Sequence, residues 1–237
     1  MRGVIASIAP HAWIEDATHD VPPGDVFFAA WTLSRYWQLF PANTVHVVVV
    51  DPGVGTSRRG LVVEARDRFL IAPDNGVLTL ALAGLADSRA FEIANPEYQR
   101  QPVSSTFHGR DVFAPVAAHL ARGVRIDAFG PPASNLVRLD VPTAQRTGNV
   151  IVGEVLLNDR FGNLITNVPG AWLSHDLVAA IAGREVPLRR TYGDAATGEL
   201  LAVIGSAETL EISIRDGNAA LVLGVGRRAE VQVHPAR

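Results

Sequence analysis

The chain has 237 residues, of which 48% are hydrophobic and 19% charged, so it is not disordered and can form one large domain or two modest ones. Its formal charge of −3 gives no electrostatic basis for nucleic-acid binding. Cysteine and lysine are both absent, which excludes disulfides, thiolate nucleophiles, Cys-ligated metals and Schiff-base chemistry. No apolar run reaches the ~20 residues of a membrane span and no signal-peptide pattern is visible, so we expect a cytoplasmic protein.

The first part of the chain mixes helical and strand patterns. Apolar residues at helical spacing predict helices over 24–39, 77–86 and 111–122. Apolar and β-branched runs predict strands over 45–50, 60–66 and 67–73. The first of these runs is apolar on both faces, which is typical of a buried parallel strand. We therefore expect an α/β domain over 1–132 with a mainly parallel sheet.

The composition changes after this domain. Pro, Ser, Asn, Thr and Gly dominate residues 133–148, which we interpret as a linker. The segments that follow are rich in β-formers and predict strands over 150–157, 164–168, 200–204, 209–214, 219–223 and 229–233. This pattern indicates a small antiparallel barrel or sandwich over 149–237.

Three loop segments place glycines and polar side chains beside apolar elements. The first, 51–59, directly follows the strongest predicted strand, and open α/β sheets bind ligands at the carboxyl ends of their strands. Asp51 and Arg58 in this loop can form a charge-assisted pair. The alternative interpretation is a turn with solvated arginines, because the glycine spacing matches neither a P-loop nor a dinucleotide-binding fingerprint.

The second segment, 104–111, places His108 at the mouth of a predicted helix. A histidine beside a glycine at a loop–helix junction is a better catalytic candidate than one inside a helix, such as His119. The alternative is a histidine with a purely structural hydrogen bond. Asp111 is assigned to the first turn of the helix and not to the chemistry.

The third segment, 158–167, carries an aromatic ring flanked by a carboxylate and an amide, at Asp159, Phe161 and Asn163. This set suits a flat heterocycle joined to an amine, and the alternative is an ordinary hairpin turn. No metal site is predicted, because the spacing fits no metal-binding motif at His11, Asp16 and His19.

Taken in order, these segments closely resemble the S-adenosyl-L-methionine (SAM) hydroxide adenosyltransferases, or adenosine-forming SAM hydrolases, which are relatives of the fluorinase and the chlorinase. The matching segments are 49–59, 73–76, 106–115 and 159–167, together with 15–19 and 217–220. The resemblance spans nearly the whole chain. It implies an α/β domain followed by a C-terminal antiparallel β-barrel, and it therefore favours the barrel over the sandwich.

The resemblance also implies a reaction. Asp51, Arg58 and His108 would hold a water and help it attack C5′ of the substrate ribose, which releases methionine and forms adenosine without a metal or other cofactor. The halogenases carry Tyr in place of the aspartate and Ser in place of Gly109. The residues of this chain therefore favour hydroxide over halide.

The resemblance further implies a substrate site in the second domain. Asp159 would bind the methionine amine, Phe161 would stack on adenine and Asn163 would bind the adenine edge. Ser206 would lie near the methionine moiety, and the backbone of Ala219 near adenine. The halogenases have an Arg where this chain has Ala207, so recognition of the substrate carboxylate differs between the two groups.

The family resemblance makes the start of the chain unusual. Family members open with a strand and a Leu-Thr-Asp-Phe-Gly-type loop, whose Asp holds the ribose hydroxyls. This chain begins at the position that follows them, and apolar periodic sequence follows Met1 without a capping residue. We therefore expect the first strand of the sheet and this Asp to be missing.

Two alternatives to a SAM hydrolase stay open from the sequence. One is a SAM- or adenosine-binding protein without turnover, and the other is a SAM-dependent 5′-halogenase. The partners implied are the substrate SAM and the product adenosine, with no nucleic acid and no membrane. Because family members are typically trimers, we expect a homotrimer whose sites lie between the α/β domain of one subunit and the β domain of a neighbour.

Overall fold

The computed structural model describes residues 1–174 and 176–236. It divides into two compact units, Met1–Leu139 and Asp140–Arg237. The domain and linker boundaries expected from composition, at 132 and 149, stay predictions. Within the described residues, no helix is long and apolar enough to cross a membrane.

The first unit contains both helices and strands. Its helices are α1 (Arg2–Ile8), α2 (Val26–Tyr36) and α3 (Ala114–Ala121), and its strands are β1 (Val45–Val47), β2 (Gly60–Ala65), β3 (Arg68–Pro73) and β4 (Ser88–Glu92). Asp25 caps α2, because its carboxylate accepts a hydrogen bond from the backbone N–H of Phe28 at 2.9 Å. A π-helical turn, Gly109–Phe113, immediately precedes α3.

The four strands form one sheet in the order β1-β3-β2-β4. Only β1 and β3 run parallel, whereas β3–β2 and β2–β4 are antiparallel. The expectation of a mainly parallel sheet is therefore wrong, and the sheet is mixed. The reason is the tight turn between β2 and β3, where Arg66 and Asp67 both have positive φ (47° and 57°), the geometry of a hairpin that reverses the chain.

The sheet is covered on both faces, because successive side chains of a strand point to opposite sides. One face packs against α2, with a core of buried residues that includes Leu33, Trp37, Leu61, Val63 and Leu70. The other face packs against α3 and the segment before it, with a core that includes Val62, Ile71, Phe113, Val116 and Phe129. The site loops leave from this buried sheet.

Two predicted elements of this unit differ from the structure. Residues 77–86 form consecutive turns and not a helix, although Val77, Leu78 and Ala81 are buried as an apolar helical face would be. The strand predicted over 45–50 ends at Val47. Beyond it the side-chain amide of Asn75 donates to the carbonyl of Val50 at 2.9 Å, so a side chain replaces the strand partner.

The second unit is built on one eight-stranded antiparallel sheet. Its strands are β5 (Gln145–Thr147), β6 (Val150–Asn158), β7 (Leu164–Pro169), β8 (Leu177–Ile181), β9 (Arg184–Pro187), β10 (Leu200–Ile204), β11 (Thr209–Ile214) and β12 (Glu230–Pro235). The order is β10-β11-β7-β6-β12-β8-β9, with β5 beside β6. The two ends approach each other where the backbone N–H of Arg189 donates to the carbonyl of Ala202 at 2.8 Å. The sheet is thus nearly closed and barrel-like, as expected.

One predicted strand of this unit is a helix. Residues Ala219–Leu223 form α4. The side chain of Asn218 caps its start by accepting from the N–H of Leu221 at 2.8 Å, and Gly224 ends it in the left-handed conformation. These two local signals outweigh the apolar content of the segment, which alone cannot separate a strand from a helix.

Candidate active site

The loop after β1 folds back so that Arg58 meets Asp51. Its turns are closed by backbone hydrogen bonds from Val54 to Asp51 and from Thr56 to Gly53, both of 3.2 Å. The Arg58 Nε donates to the two carboxylate oxygens of Asp51 at 2.9 and 3.0 Å, and Nη2 also donates to Oδ2. The side chains of Arg58 and Asp51 are only 10% and 5% exposed. The predicted charge-assisted pair is therefore formed, and it is buried.

The same guanidinium group also reaches His108. Arg58 Nη2 lies 2.7 Å from His108 Nδ1. Because a guanidinium has only donors, Nδ1 accepts this hydrogen bond, and neutral His108 carries its proton on Nε2. Burial, followed by the charge of Arg58, lowers the pKa of His108 from its ordinary value, while Asp51 and Asp111 oppose this shift. His108 is therefore neutral at neutral pH, with a free N–H to donate.

Two loops meet closely to build this arrangement. Gly55 has a φ of +80°, and a Cβ atom at this position would lie 2.2 Å from the carbonyl oxygen of Ser105. The loop that carries Asp51 and Arg58 thus contacts the segment that leads to His108. A side chain at Gly55 would separate them.

Asp111 anchors the segment that contains His108. Its buried carboxylate accepts from the backbone N–H of Ser104 at 3.0 Å and from Arg110 Nε at 2.7 Å. The hydrogen bond from Arg110 is the largest cause that lowers the pKa of Asp111 to about 2. Asp111 therefore holds the shape of the loop, in agreement with its assignment outside the chemistry.

Apolar groups surround the polar trio formed by Asp51, Arg58 and His108. The Phe113 ring centre lies 5.2 Å from the Arg58 guanidinium carbon, a cation–π distance. A Cβ atom on Gly109 would lie 3.2 Å from the Met1 sulfur and 3.3 Å from Cγ1 of Val49. Arg58 and Asp51 are buried and His108 is partly buried, so the charges of the Asp51–Arg58 pair act in a region of low dielectric constant.

The second candidate group lies in the loop between β6 and β7. Asp159 Oδ1 accepts from the backbone N–H groups of Phe161 and Asn163 at 2.8 and 3.0 Å, and Oδ2 accepts from the Asn163 side chain at 3.0 Å. Phe161 is 64% exposed, and the Arg160 guanidinium carbon lies 5.2 Å from its ring centre. Asp159 thus shapes the loop and presents the aromatic ring to solvent.

This loop packs against the start of α4. Gly162 has a φ of +85°, and a Cβ atom there would lie 2.0 Å from the side-chain carbon of Asn218. The backbone N–H of Ala220 donates to the carbonyl of Gly162 at 3.0 Å. The contact brings the β6–β7 loop next to buried Ala219. Ser206 lies in a separate turn, between β10 and β11.

A further polar group, which was not identified from the sequence, also lies in the second unit. Glu211 lies on β11, and its residue is only 6% exposed. Its Oε1 accepts from the Tyr192 hydroxyl and, at 2.9 Å, from the Ser213 hydroxyl. Burial and then Glu211 raise the pKa of Tyr192, with a smaller contribution from Asp159. The signal for this group was a carboxylate between two apolar residues, Leu210 and Ile212, of a predicted strand.

Metal-ligating side chains do not gather in the described part of the chain. Among residues 1–174 and 176–236, no three His, Asp or Glu side chains are placed to hold a metal ion. Near the N-terminus, where His11, Asp16 and His19 match no metal-binding motif, Asp16 pairs with Arg2 at 2.6 Å, and His19 Nε2 lies 3.7 Å from Asp16.

Family models match both parts of the chain. The SAM hydroxide adenosyltransferase N-terminal domain matches residues 1–130, and the C-terminal domain of the same family matches residues 153–232. Together these matches cover most of the chain.

Named relatives and solved structures agree with these models. The (R)-S-adenosyl-L-methionine hydrolase of Salinispora tropica is 42% identical over 228 residues, which cover 94% of this chain and 87% of the relative. The hydrolase of Thermus thermophilus is 40% identical over 234 residues, which cover 95% of this chain and 89% of the relative. A fluorinase of Nocardia brasiliensis is 26% identical, and the match covers 98% of this chain and 90% of the fluorinase. The crystal structure of an uncharacterized conserved protein from Thermotoga maritima has a TM-score of 0.90 at 37% identity and covers 98% of this chain and 93% of its own.

Proposed function

The chain belongs to the SAM hydroxide adenosyltransferase family, and we propose that Asp51, Arg58 and His108 carry out its hydrolysis of S-adenosyl-L-methionine. The observation that carries this assignment is the single guanidinium of Arg58, which hydrogen-bonds to Asp51 on one side and to His108 on the other. The buried Asp51–Arg58 pair and the partly buried His108 that Arg58 holds are preorganised, so they can position one water without reorganising during the reaction.

The reaction balances without further groups. The oxygen of water forms a bond to C5′ of the ribose while the bond between C5′ and the sulfonium sulfur breaks. The sulfur keeps the electron pair and leaves as the neutral thioether of methionine, and the second product is adenosine. The proton lost by the water passes to the Asp51 carboxylate and then to solvent. Because the leaving group is already cationic, the site needs a positioned nucleophile and little activation of the leaving group.

Each member of the trio has a separate role in this proposal. His108 donates its Nε2–H to the water oxygen, since its Nδ1 is used by Arg58. Asp51 accepts a hydrogen bond from the same water and takes its proton. Arg58 does not touch the water; it fixes the carboxylate and the imidazole and selects the imidazole tautomer.

We assign substrate recognition to the second unit. Phe161 offers an exposed ring to stack on adenine, Asn163 binds the adenine edge, and the backbone of Ala219 lies beside it. Asp159 contributes negative charge for the methionine amine, and Ser206 binds the same moiety. These roles rest on the family resemblance together with the contact between the Gly162 loop and the start of α4.

The two alternatives have less support. Three (R)-S-adenosyl-L-methionine hydrolases are 40–43% identical to this chain over 94–95% of its length and a fourth is 35% identical over 71%, whereas three fluorinases are 25–26% identical. Gly109 is tightly packed against Met1 and Val49, so a serine there would require these neighbours to move. A binding protein without turnover has no need of a polar trio that positions a water for attack.

Three further assignments complete the proposal. The enzyme uses no metal or cofactor, because the sulfonium sulfur of the substrate already leaves as a neutral thioether and needs no activation. It acts in the cytoplasm. It assembles as a homotrimer, and each site combines residues from two neighbouring subunits, as the family resemblance implies.

The activity is tested by incubating the pure protein with SAM and separating the products by chromatography. We expect adenosine and methionine in equal amounts, with ¹⁸O from labelled water in the 5′-hydroxyl of adenosine. Added chloride or fluoride should leave the product unchanged. A 5′-halogenated nucleoside would instead identify a halogenase, and tight SAM binding without any product would identify a binding protein.

The trio is tested by Asp51→Asn and His108→Ala. Both variants should lower kcat by about 10²–10⁴-fold, as positioning and general-base groups typically do, with little change in SAM affinity. Asp87→Asn and His11→Ala, both at exposed positions, are the matched controls and should keep the wild-type rate. Wild-type turnover in either trio variant would remove that residue from the catalytic site.

A further inference from the structure

Glu211 is a buried carboxylate whose charge is not balanced by a cation. Both of its identified donors, the Tyr192 and Ser213 hydroxyls, are neutral and bind the same oxygen, Oε1. Among the described residues, Glu211 takes part in no ion pair within 4.0 Å. Burying an ionised carboxylate without a counter-charge is costly, so proteins seldom keep one unless a cation joins it in some functional state.

The second oxygen of Glu211 lies directly beside the backbone of Gly205. A Cβ atom at Gly205 would be 2.6 Å from Oε2, so only glycine leaves this space open. Gly205 precedes Ser206 in the turn between β10 and β11. The carboxylate thus lies beside the turn to which we assign the methionine moiety.

Strand pairing places Glu211 next to the β6–β7 loop as well. In the register of β11 with β7, Glu211 is opposite Ile165 and Ile212 is opposite Leu164. Asn163, whose side chain donates to Asp159, immediately precedes β7. The Tyr192 hydroxyl donates to Glu211, and the negative charge of Asp159 makes the smallest contribution to the raised pKa of Tyr192.

We propose that Glu211, oriented by Tyr192 and Ser213, binds the α-ammonium group of the methionine part of the substrate. This inference rests on the proposed function and adds a specificity-determining residue to it. Asp159 already accepts three hydrogen bonds within its own loop, so it contributes charge but has little capacity left for a new donor. Glu211 supplies the free acceptor. The alternative is that the Glu211 group only holds the segment around Tyr192 on the barrel.

Three sulfonium probes separate these possibilities. SAM carries an ammonium and a carboxylate, its decarboxylated analogue keeps only the ammonium, and 5′-deoxy-5′-dimethylsulfonioadenosine has neither. Glu211→Gln should raise KM for the first two by about 10- to 100-fold, the usual effect of losing a charged hydrogen-bond partner, and leave KM for the third within about twofold. Glu208→Gln changes an exposed acid in the same turn and should leave all three unchanged.

The outcomes distinguish the inference from the proposed function. Equal changes in KM for all three probes, or no change for any, would overturn the role of Glu211 while wild-type hydrolysis still stood. Absence of adenosine with the wild-type enzyme would overturn the proposed function, on which the inference depends. If Glu211→Gln does not fold, Tyr192→Phe keeps the carboxylate and removes one donor. It should then raise KM for the two ammonium-bearing probes by about 2- to 10-fold, and a uniform change would again contradict the role.

Discussion

Arg58 fixes the tautomer of His108. Its guanidinium uses the Nδ1 lone pair of His108, so the imidazole can gain a second proton only by giving up a 2.7 Å hydrogen bond. In protonated His108 the Nδ1–H would point at the Nη2–H of Arg58, and two donors cannot form a hydrogen bond. Activity should therefore fall as the pH drops through the pKa of His108, which lies below the ordinary value of 6.5.

The effect of Arg58 on His108 can be measured by NMR titration of the imidazole. Removing a nearby positive charge favours the protonated form, so Arg58→Gln should raise the pKa of His108. The rise should be partial, because burial, the larger cause, remains. His119 is an internal control, since burial and then Arg122 lower its pKa and neither changes in the variant. An unchanged or lower pKa of His108 would show that the pair is not formed in solution.

Phe161 offers a second test at the level of one side chain. It is 64% exposed although it is large and apolar, which suits a stacking surface. Phe161→Ala should weaken adenosine binding by about 1–3 kcal/mol, the range for an aromatic that stacks on one base. Calorimetry with adenosine measures this directly. Leu39→Ala removes another exposed apolar side chain and should leave the affinity unchanged, and an unaltered affinity in Phe161→Ala would remove the ring from the site.

The site loops depend on a contact between two elements as much as on their own residues. Gly55→Ala should destabilise the protein by about 1–3 kcal/mol and lower kcat, because the new Cβ both strains a positive φ and separates the loops at Ser105. Gly198→Ala is a matched control with almost the same φ, +81°, and no atom within 4 Å of its Cβ. The difference between the two variants, measured by urea unfolding, gives the cost of the contact alone. Equal losses would mean that the loop contact is unimportant.

At the scale of the whole molecule, the proposed sharing of each site between neighbouring subunits predicts complementation. Asp51 belongs to the first unit and Phe161 to the second. Chains with Asp51→Asn and chains with Phe161→Ala, each weakly active alone at low SAM, should regain activity when unfolded together and refolded. If mixing is random, about a quarter of the sites then receive both native residues. Activity equal to the average of the two variants would place each complete site within one chain.

Many local features could be read from the sequence because they depend on neighbouring residues. The β10 and β11 strands have the predicted bounds, since short segments rich in β-formers and the turns that flank them encode them directly. The Asp51–Arg58 pair joins residues seven positions apart, so one loop holds both partners. Motif order over the whole chain was specific enough to indicate the family.

The tertiary structure alone decided the rest. Arg58 and His108 are 50 residues apart, and Tyr192 and Glu211 are 19 apart, so no local pattern joins them. The direction of β2 against β3, the turns over 77–86 and the helix at Ala219–Leu223 also escaped the apolar pattern. Apolar spacing reports which residues are buried, but strand pairing and the partners of a buried charge depend on which surfaces meet when the chain packs.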